Sequence, residues 1–186
     1  MSERKQQILQ EGVNLIATQG YSAFSMRAVA RASGLTLGAL QYHFRTQEDL
    51  LRALAAHISE TYRTAFDAQG EAPSLKGVVA FVLEDAPGED LQAARLFPQL
   101  WAMALVEPIM EELLDALYQE YVDLLEGLLR ERGAQAPRAE ALAIMGLLEG
   151  QTLFVGRGRR WEESGPAVLE AVHALIDARY GDGSSS

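Results

Sequence analysis

The 186-residue chain contains no cysteine. Disulfides, thiolate metal sites and thiol nucleophiles are therefore excluded. It has three histidines, His43, His57 and His173, too far apart to match any metal-ligand spacing. The longest apolar stretch, Ala141 to Leu148 with one internal glycine, is far too short to cross a bilayer. The opening MSERKQQILQEG is polar and lacks the apolar core of a signal peptide, so no membrane association is expected and the expected location is the cytoplasm. No segment alternates apolar and polar residues long enough to form a strand, and no Asn-Gly or Asp-Gly pair joins two such segments. Basic residues are scarce as well: 16 Lys and Arg stand against 26 Asp and Glu, for a net charge of −10.

What remains is helix. Hydrophobic residues make up 48% of the chain, ample for the core of one large domain or two small ones. Apolar residues recurring at three and four positions, punctuated by caps, Gly and Pro, predict about nine helices: 3–19, 26–33, 37–43, 47–68, 75–85, 90–105, 108–132, 137–157 and 166–180. Thr46-Gln-Glu-Asp49 has the form of a capping box at the start of the fourth. Loops are expected at Gly70-Glu-Ala-Pro73 and at Pro87-Gly88, a bend at Pro98, and a frayed tail after Gly181. An enzyme is not expected, nor a cofactor or metal. The glycines of Gly156-Arg-Gly158-Arg-Arg-Trp161 lack a third partner and follow a helix instead of a strand, and no nucleophile elbow or phosphate loop is present.

The most informative stretch is SMRAVARASGLTLGALQYHFRTQEDLL, residues 25–51. Ser25 can cap one short helix and Thr36 a second, with Gly34 between them suited to a left-handed helix end. Leu40 and Phe44 share one face of the second helix. Two capped helices around one glycine describe a helix-turn-helix, whose second helix enters the DNA major groove; a generic three-helix bundle with solvated polar positions is the plainer alternative. Gln41 can read adenine, while Leu37 and Ala39 can meet thymine methyls. Tyr42 and His43 are the other long polar side chains of this helix. Arg27 suits guanine or phosphate, and Gly38 lets backbone approach the duplex. The whole-chain charge conceals an asymmetry: residues 1–52 carry +2 and the remainder −12, so phosphate could be met by the basic end alone.

Gly34-Leu35-Thr36-Leu37-Gly38-Ala39-Leu40-Gln41-Tyr42-His43-Phe44, followed by Glu48-Asp49-Leu50-Leu51, resembles the DNA-binding segment of the tetracycline-repressor (TetR) family of bacterial regulators. The likeness runs from about residue 4 to 52 and includes Gly20-Tyr21 and Ser25…Val29-Ala30. Gln41 replaces a common Tyr and Gln47 a common Lys, both at positions that usually touch DNA backbone, which implies fewer phosphate contacts. The resemblance implies an all-α chain with an N-terminal helix-turn-helix domain, 1–47, and a C-terminal helical effector-binding and dimerisation domain, 48–186. It also implies a homodimer that binds a double-stranded palindromic operator, as a repressor released by a small-molecule effector. A DNA-bound adaptor that recruits a protein partner through its acidic surface is the alternative.

The predicted helix 137–157 is apolar almost all round. Ala143, Gly146, Leu147, Gly150 and Phe154 fall on one stripe, with Met145, Leu148, Glu149 and Thr152 on the other side. Two apolar faces need two burials, so the small-residue stripe is expected to pack on a partner copy, unless the helix is the core of a monomer. Glu149 and Thr152 would then point toward Phe81, Phe97, Trp101, Met110, Tyr118 and Tyr121. That lining is either plain core or, as the resemblance implies, an effector pocket.

Overall fold

A computed structural model describes residues 2–68, 70, 74–83 and 93–181. The expected loops at 71–73 and 87–88, the predicted helical ends at 84–85 and 90–92, and the tail from 182 lie outside the described residues. Among the described residues there are nine α-helices, two 3₁₀ turns and no strand. The helices are α1 (Glu3–Gln19), α2 (Met26–Ala32), α3 (Leu37–His43), α4 (Gln47–Asp67), α5 (Leu75–Leu83), α6 (Ala93–Ala104), α7 (Pro108–Glu131), α8 (Pro137–Val155) and α9 (Gly165–Tyr180).

Local chemistry sets their ends. The hydroxyls of Ser2, Ser25 and Thr36 accept from Lys5, Ala28 and Ala39 N–H groups at 3.4, 3.2 and 3.2 Å, as N-caps do. Thr46 and Asp49 bond reciprocally at 3.0 Å, completing the capping box. Gly34, at φ 65°, closes α2 by a Schellman motif, with Leu35 N–H on the Ala30 carbonyl (2.8 Å) and Gly34 N–H on that of Arg31 (3.1 Å). Gly133 at φ 74° ends α7 in the same way, its own N–H and that of Ala134 returning to Arg130 and Leu129. α6 continues through Pro98, although the proline has no N–H to offer the preceding turn.

The chain divides into two compact units. One comprises the described residues of Met1–Ala68 and Pro87–Leu117, the other those of Gln69–Ala86 and Tyr118–Ser186. α1 packs against α2, α4 and α6, and α2 against α3. Gly12 makes the α1–α4 approach close: a Cβ there would stand 2.9 Å from Leu54 Cδ1. With Leu50, Leu54 and Ile58 fully or nearly fully buried, α4 belongs to the same hydrophobic unit as the helices it follows. In the second unit α5 packs on both α8 and α9, burying Leu75, Val78, Val79 and Phe81 from α5, Met145 and Leu148 from α8, and Val172 and Ile176 from α9. No helix of the described residues is long and apolar enough to cross a membrane.

Candidate functional site

The helix-turn-helix stands in the first unit, and α3 presents two distinct faces. Leu40 and Phe44 are buried and hold it on the bundle. Gly38, Gln41 and Tyr42, at the complementary i, i+3, i+4 spacing, are exposed. Tyr42 is 87% exposed, and its ring meets that of His43 edge-on at 5.5 Å. Leu37, Ala39 and His43 are half-buried at the margin of that face, and Thr36 is exposed at its start. A Cβ built on Gly38 meets nothing within 4 Å, so nothing in the protein itself requires glycine there.

The basic residues of this unit fall into two groups. Arg4 donates to the Ser33 carbonyl at 3.2 Å, Lys5 Nζ sits 5.6 Å from the centre of the Phe44 ring, and Arg52 pairs with Glu48 at 2.9 Å. Arg27, Arg31 and Arg45 are exposed and form no ion pair among the described residues. Arg31 and Arg45 were not among the residues expected at DNA; their signal is charge next to the motif, which sequence cannot separate from charge that is already paired.

Two expected contacts have duties inside the protein. The Ser25 hydroxyl is the α2 cap. The Gln47 side chain hydrogen-bonds the Tyr21 hydroxyl, which itself donates to Glu107. Burial, then the neighbouring Glu107 carboxylate, pushes the Tyr21 phenol up to about 12, so it stays a donor at any working pH. This junction ties the turn after α1 to the first residue of α4 and to the residue before α7. A cleft of about 390 Å³ lies in the same unit, lined by Gln47, Leu51 and Arg52 of α4 and by Glu107, Pro108 and Glu112. None of the residues expected at an effector lines it.

Those effector residues divide between the units. Phe97, Trp101 and Met110 belong to the first, where the Phe97 ring meets Tyr62 edge-on at 5.4 Å and Met110 is buried. Phe81, Tyr118, Tyr121, Glu149 and Thr152 belong to the second. There Phe81 stacks on Tyr121 at 6.5 Å, and the Tyr118 hydroxyl bonds the Glu149 carboxylate. Burial pushes that carboxyl up to about 7, the Tyr118 bond partly opposing it. The Thr152 hydroxyl donates to the main-chain carbonyl of Glu149 at 2.7 Å, so its proton is committed within α8.

The stripe expected at a partner copy lies on the opposite side of α8 from buried Met145 and Leu148. Ala143, Gly146, Leu147 and Phe154 are exposed and Gly150 is half-exposed. Cβ atoms built on Gly146 and Gly150 meet nothing within 4 Å. The Gly156–Trp161 segment is a turn, with Gly158 at φ 76° and its N–H on the Glu162 carboxylate at 2.6 Å.

Residues 8–54 match the family described as bacterial regulatory proteins, tetR family. An uncharacterised HTH-type transcriptional regulator from the dhlA 5′ region of Xanthobacter autotrophicus is 25% identical over 150 residues, 76% of this chain and 71% of its own. Among solved structures, a TetR-family transcriptional regulator from Rhodococcus sp. superposes with a TM-score of 0.79 at 24% identity, covering 95% of this chain and 98% of that one. A transcriptional regulator from Saccharomonospora viridis, solved in complex with choline, gives 0.77 at 20% identity, over 96% and 98% of the two chains. The capped helix-turn-helix and the family match across it lead to one conclusion: residues 8–54 form a DNA-binding domain of the tetR family of bacterial regulatory proteins, within a chain whose all-α fold is that of solved TetR-family regulators.

Proposed function

We propose that the chain acts as a homodimeric repressor that binds a palindromic operator and is released by a small-molecule effector held in its C-terminal helices. The carrying observation is the outward face of α3, where Gly38, Gln41 and the 87%-exposed Tyr42 stand opposite buried Leu40 and Phe44. A large aromatic left in water at the tip of a short helix gains nothing for the fold, whereas it can lie on a sugar–phosphate backbone or a base edge. Exposed Arg27 at the start of α2 supplies a charge beside it. Dimerisation is supported by the exposed apolar stripe of α8, and a two-fold axis would give two recognition helices for two half-sites. Effector binding is supported by the aromatic cluster and buried carboxyl of the second unit, and by the choline complex of the Saccharomonospora viridis relative. Release requires the effector to favour the DNA-incompetent state: turning a 99:1 preference into 1:99 takes about 5.5 kcal/mol of differential affinity.

The test is operator binding by Arg27→Ala and Tyr42→Ala in gel-shift titrations against salt. Each should lose about 1–3 kcal/mol of specific affinity, and Arg27→Ala should reduce the salt slope by about one. Helicity and oligomeric state should be unchanged. Wild-type affinity in both variants would remove α2 and α3 from the interface.

A further inference from the structure

Glu149 differs from the other described carboxylates of the second unit in being buried without a basic partner, where they are ion-paired or exposed to water. Asp177 is paired with Lys76 at 2.6 Å, Asp123 with Arg138 at 2.6 Å, and Glu126 and Glu140 with Arg130 and Arg179. Glu149 lies on the inward side of α8, between buried Met145 and Leu148 on one side and half-buried Thr152 on the other. Its ionisation is governed by burial and by the Tyr118 hydroxyl, with no basic side chain contributing.

The surroundings show what could complete it. Tyr121 lies one turn beyond Tyr118 on α7, so both rings occupy one face of that helix. Phe81 of α5 stacks on Tyr121, with planes 25° apart. Within one compact unit, α5, the C-terminal part of α7 and α8 thus supply two linked pairs, Phe81 on Tyr121 and Tyr118 on Glu149, with the two tyrosines one turn apart. The Tyr118 proton is spent on Glu149 and the Thr152 proton on a main-chain carbonyl. What the Glu149 carboxylate offers a ligand is lone pairs. A ligand meeting them has to bring protons or positive charge.

We infer that the effector is an organic cation, an apolar or aromatic body bearing one protonated or quaternary amine, seated with its charge on Glu149 and Tyr118 and its body against Phe81 and Tyr121. This rests on the reading of the chain as effector-released and names the chemical class. Aromatic faces attract cations through their quadrupole, and a desolvated carboxylate gains most from an opposite charge at short range. A neutral ligand leaves the carboxyl as it is, and an anion meets like charge.

The experiment is isothermal titration of the protein with probes of matched size: benzyltrimethylammonium and phenethylamine as cations, benzyl alcohol as neutral, octanoate as anion. It is run on wild type, Glu149→Gln and Tyr118→Phe, with operator binding as the check that each variant is folded. The cations should bind at least tenfold more tightly than benzyl alcohol and displace operator DNA. Glu149→Gln should remove at least tenfold of the cation affinity and leave benzyl alcohol unchanged, with Tyr118→Phe intermediate. If octanoate or benzyl alcohol binds as tightly as the cations and survives Glu149→Gln, the cation assignment is overturned and the effector reading stands. Equal loss for charged and neutral probes in Glu149→Gln would assign the carboxyl a structural role and also overturn it. If no probe of any class binds a protein that still binds operator, both readings fall.

Discussion

Single residues carry two consequences that can be measured. Gly38 is the second residue of α3, where glycine is a weaker helix former than alanine by at most roughly 0.5–1 kcal/mol. No neighbouring atom demands it, since an added Cβ would meet nothing within 4 Å. Gly38→Ala should therefore raise stability by up to that amount in urea titrations while weakening operator binding about tenfold, because a methyl group would stand where DNA approaches. Unaltered affinity would show that the backbone at residue 38 does not come near the duplex. Glu149 gives a pH signature instead. Its folded-state pKa of about 7 lies above the ordinary 4.5. Below about pH 4 both states hold the proton and nothing is lost. Between the two values the unfolded chain ionises first, so stability falls as pH rises, by roughly 3 kcal/mol once both states are ionised. Unfolding midpoints at pH 5 and pH 8, at one protein concentration, should differ in wild type far more than in Glu149→Gln. The same slope in both would place the titration elsewhere.

At the scale of elements, helix ends were legible because their chemistry is local. Ser25, Thr36 and Thr46 cap, Gly34 and Gly133 terminate, and Pro108 and Pro137 begin helices, each acting within four residues. The stripe of α8 was legible for the same reason, since helical phase fixes which residues share a face. What could not be read was which helix covers which. α6 lies on α1, and Phe97 and Trp101 go with it into the first unit, because apolar periodicity names a buried face without naming its partner. The bond from Tyr21 to Glu107 spans 86 residues, beyond any local pattern. That junction should matter to the elements it joins. Tyr21→Phe removes the hydroxyl between Gln47 and Glu107, and a partly buried bond to a charged group is worth about 1–3 kcal/mol. A double-mutant cycle of Tyr21→Phe with Glu107→Gln should give a coupling of at least about 0.5 kcal/mol. Additive losses would mean that the two side chains do not act together in solution.

At the scale of the whole molecule, the contrast of +2 in residues 1–52 against −12 elsewhere favours phosphate at one end of the sequence and opposes it along the rest. On the proposed function, affinity for a palindrome would depend on two basic ends acting together, and so on a dimer. α8 leaves Phe154 52% exposed and α9 leaves Leu175 62% exposed, apolar surface that a partner copy of the same chain would bury. Gly150 lies within that stripe with open space beyond it. In a free subunit, Gly150→Arg should be harmless or mildly stabilising, since arginine is the better helix former by about 0.8 kcal/mol. In a dimer packed through the stripe, the same side chain would be buried without a counter-charge, at a cost of several kcal/mol. The variant should therefore sediment as a monomer with undiminished helicity, and its affinity for a full palindrome should fall toward that for a half-site. A helical variant that still sediments as a dimer would show that another surface joins the two copies and that this stripe faces solvent or a different partner.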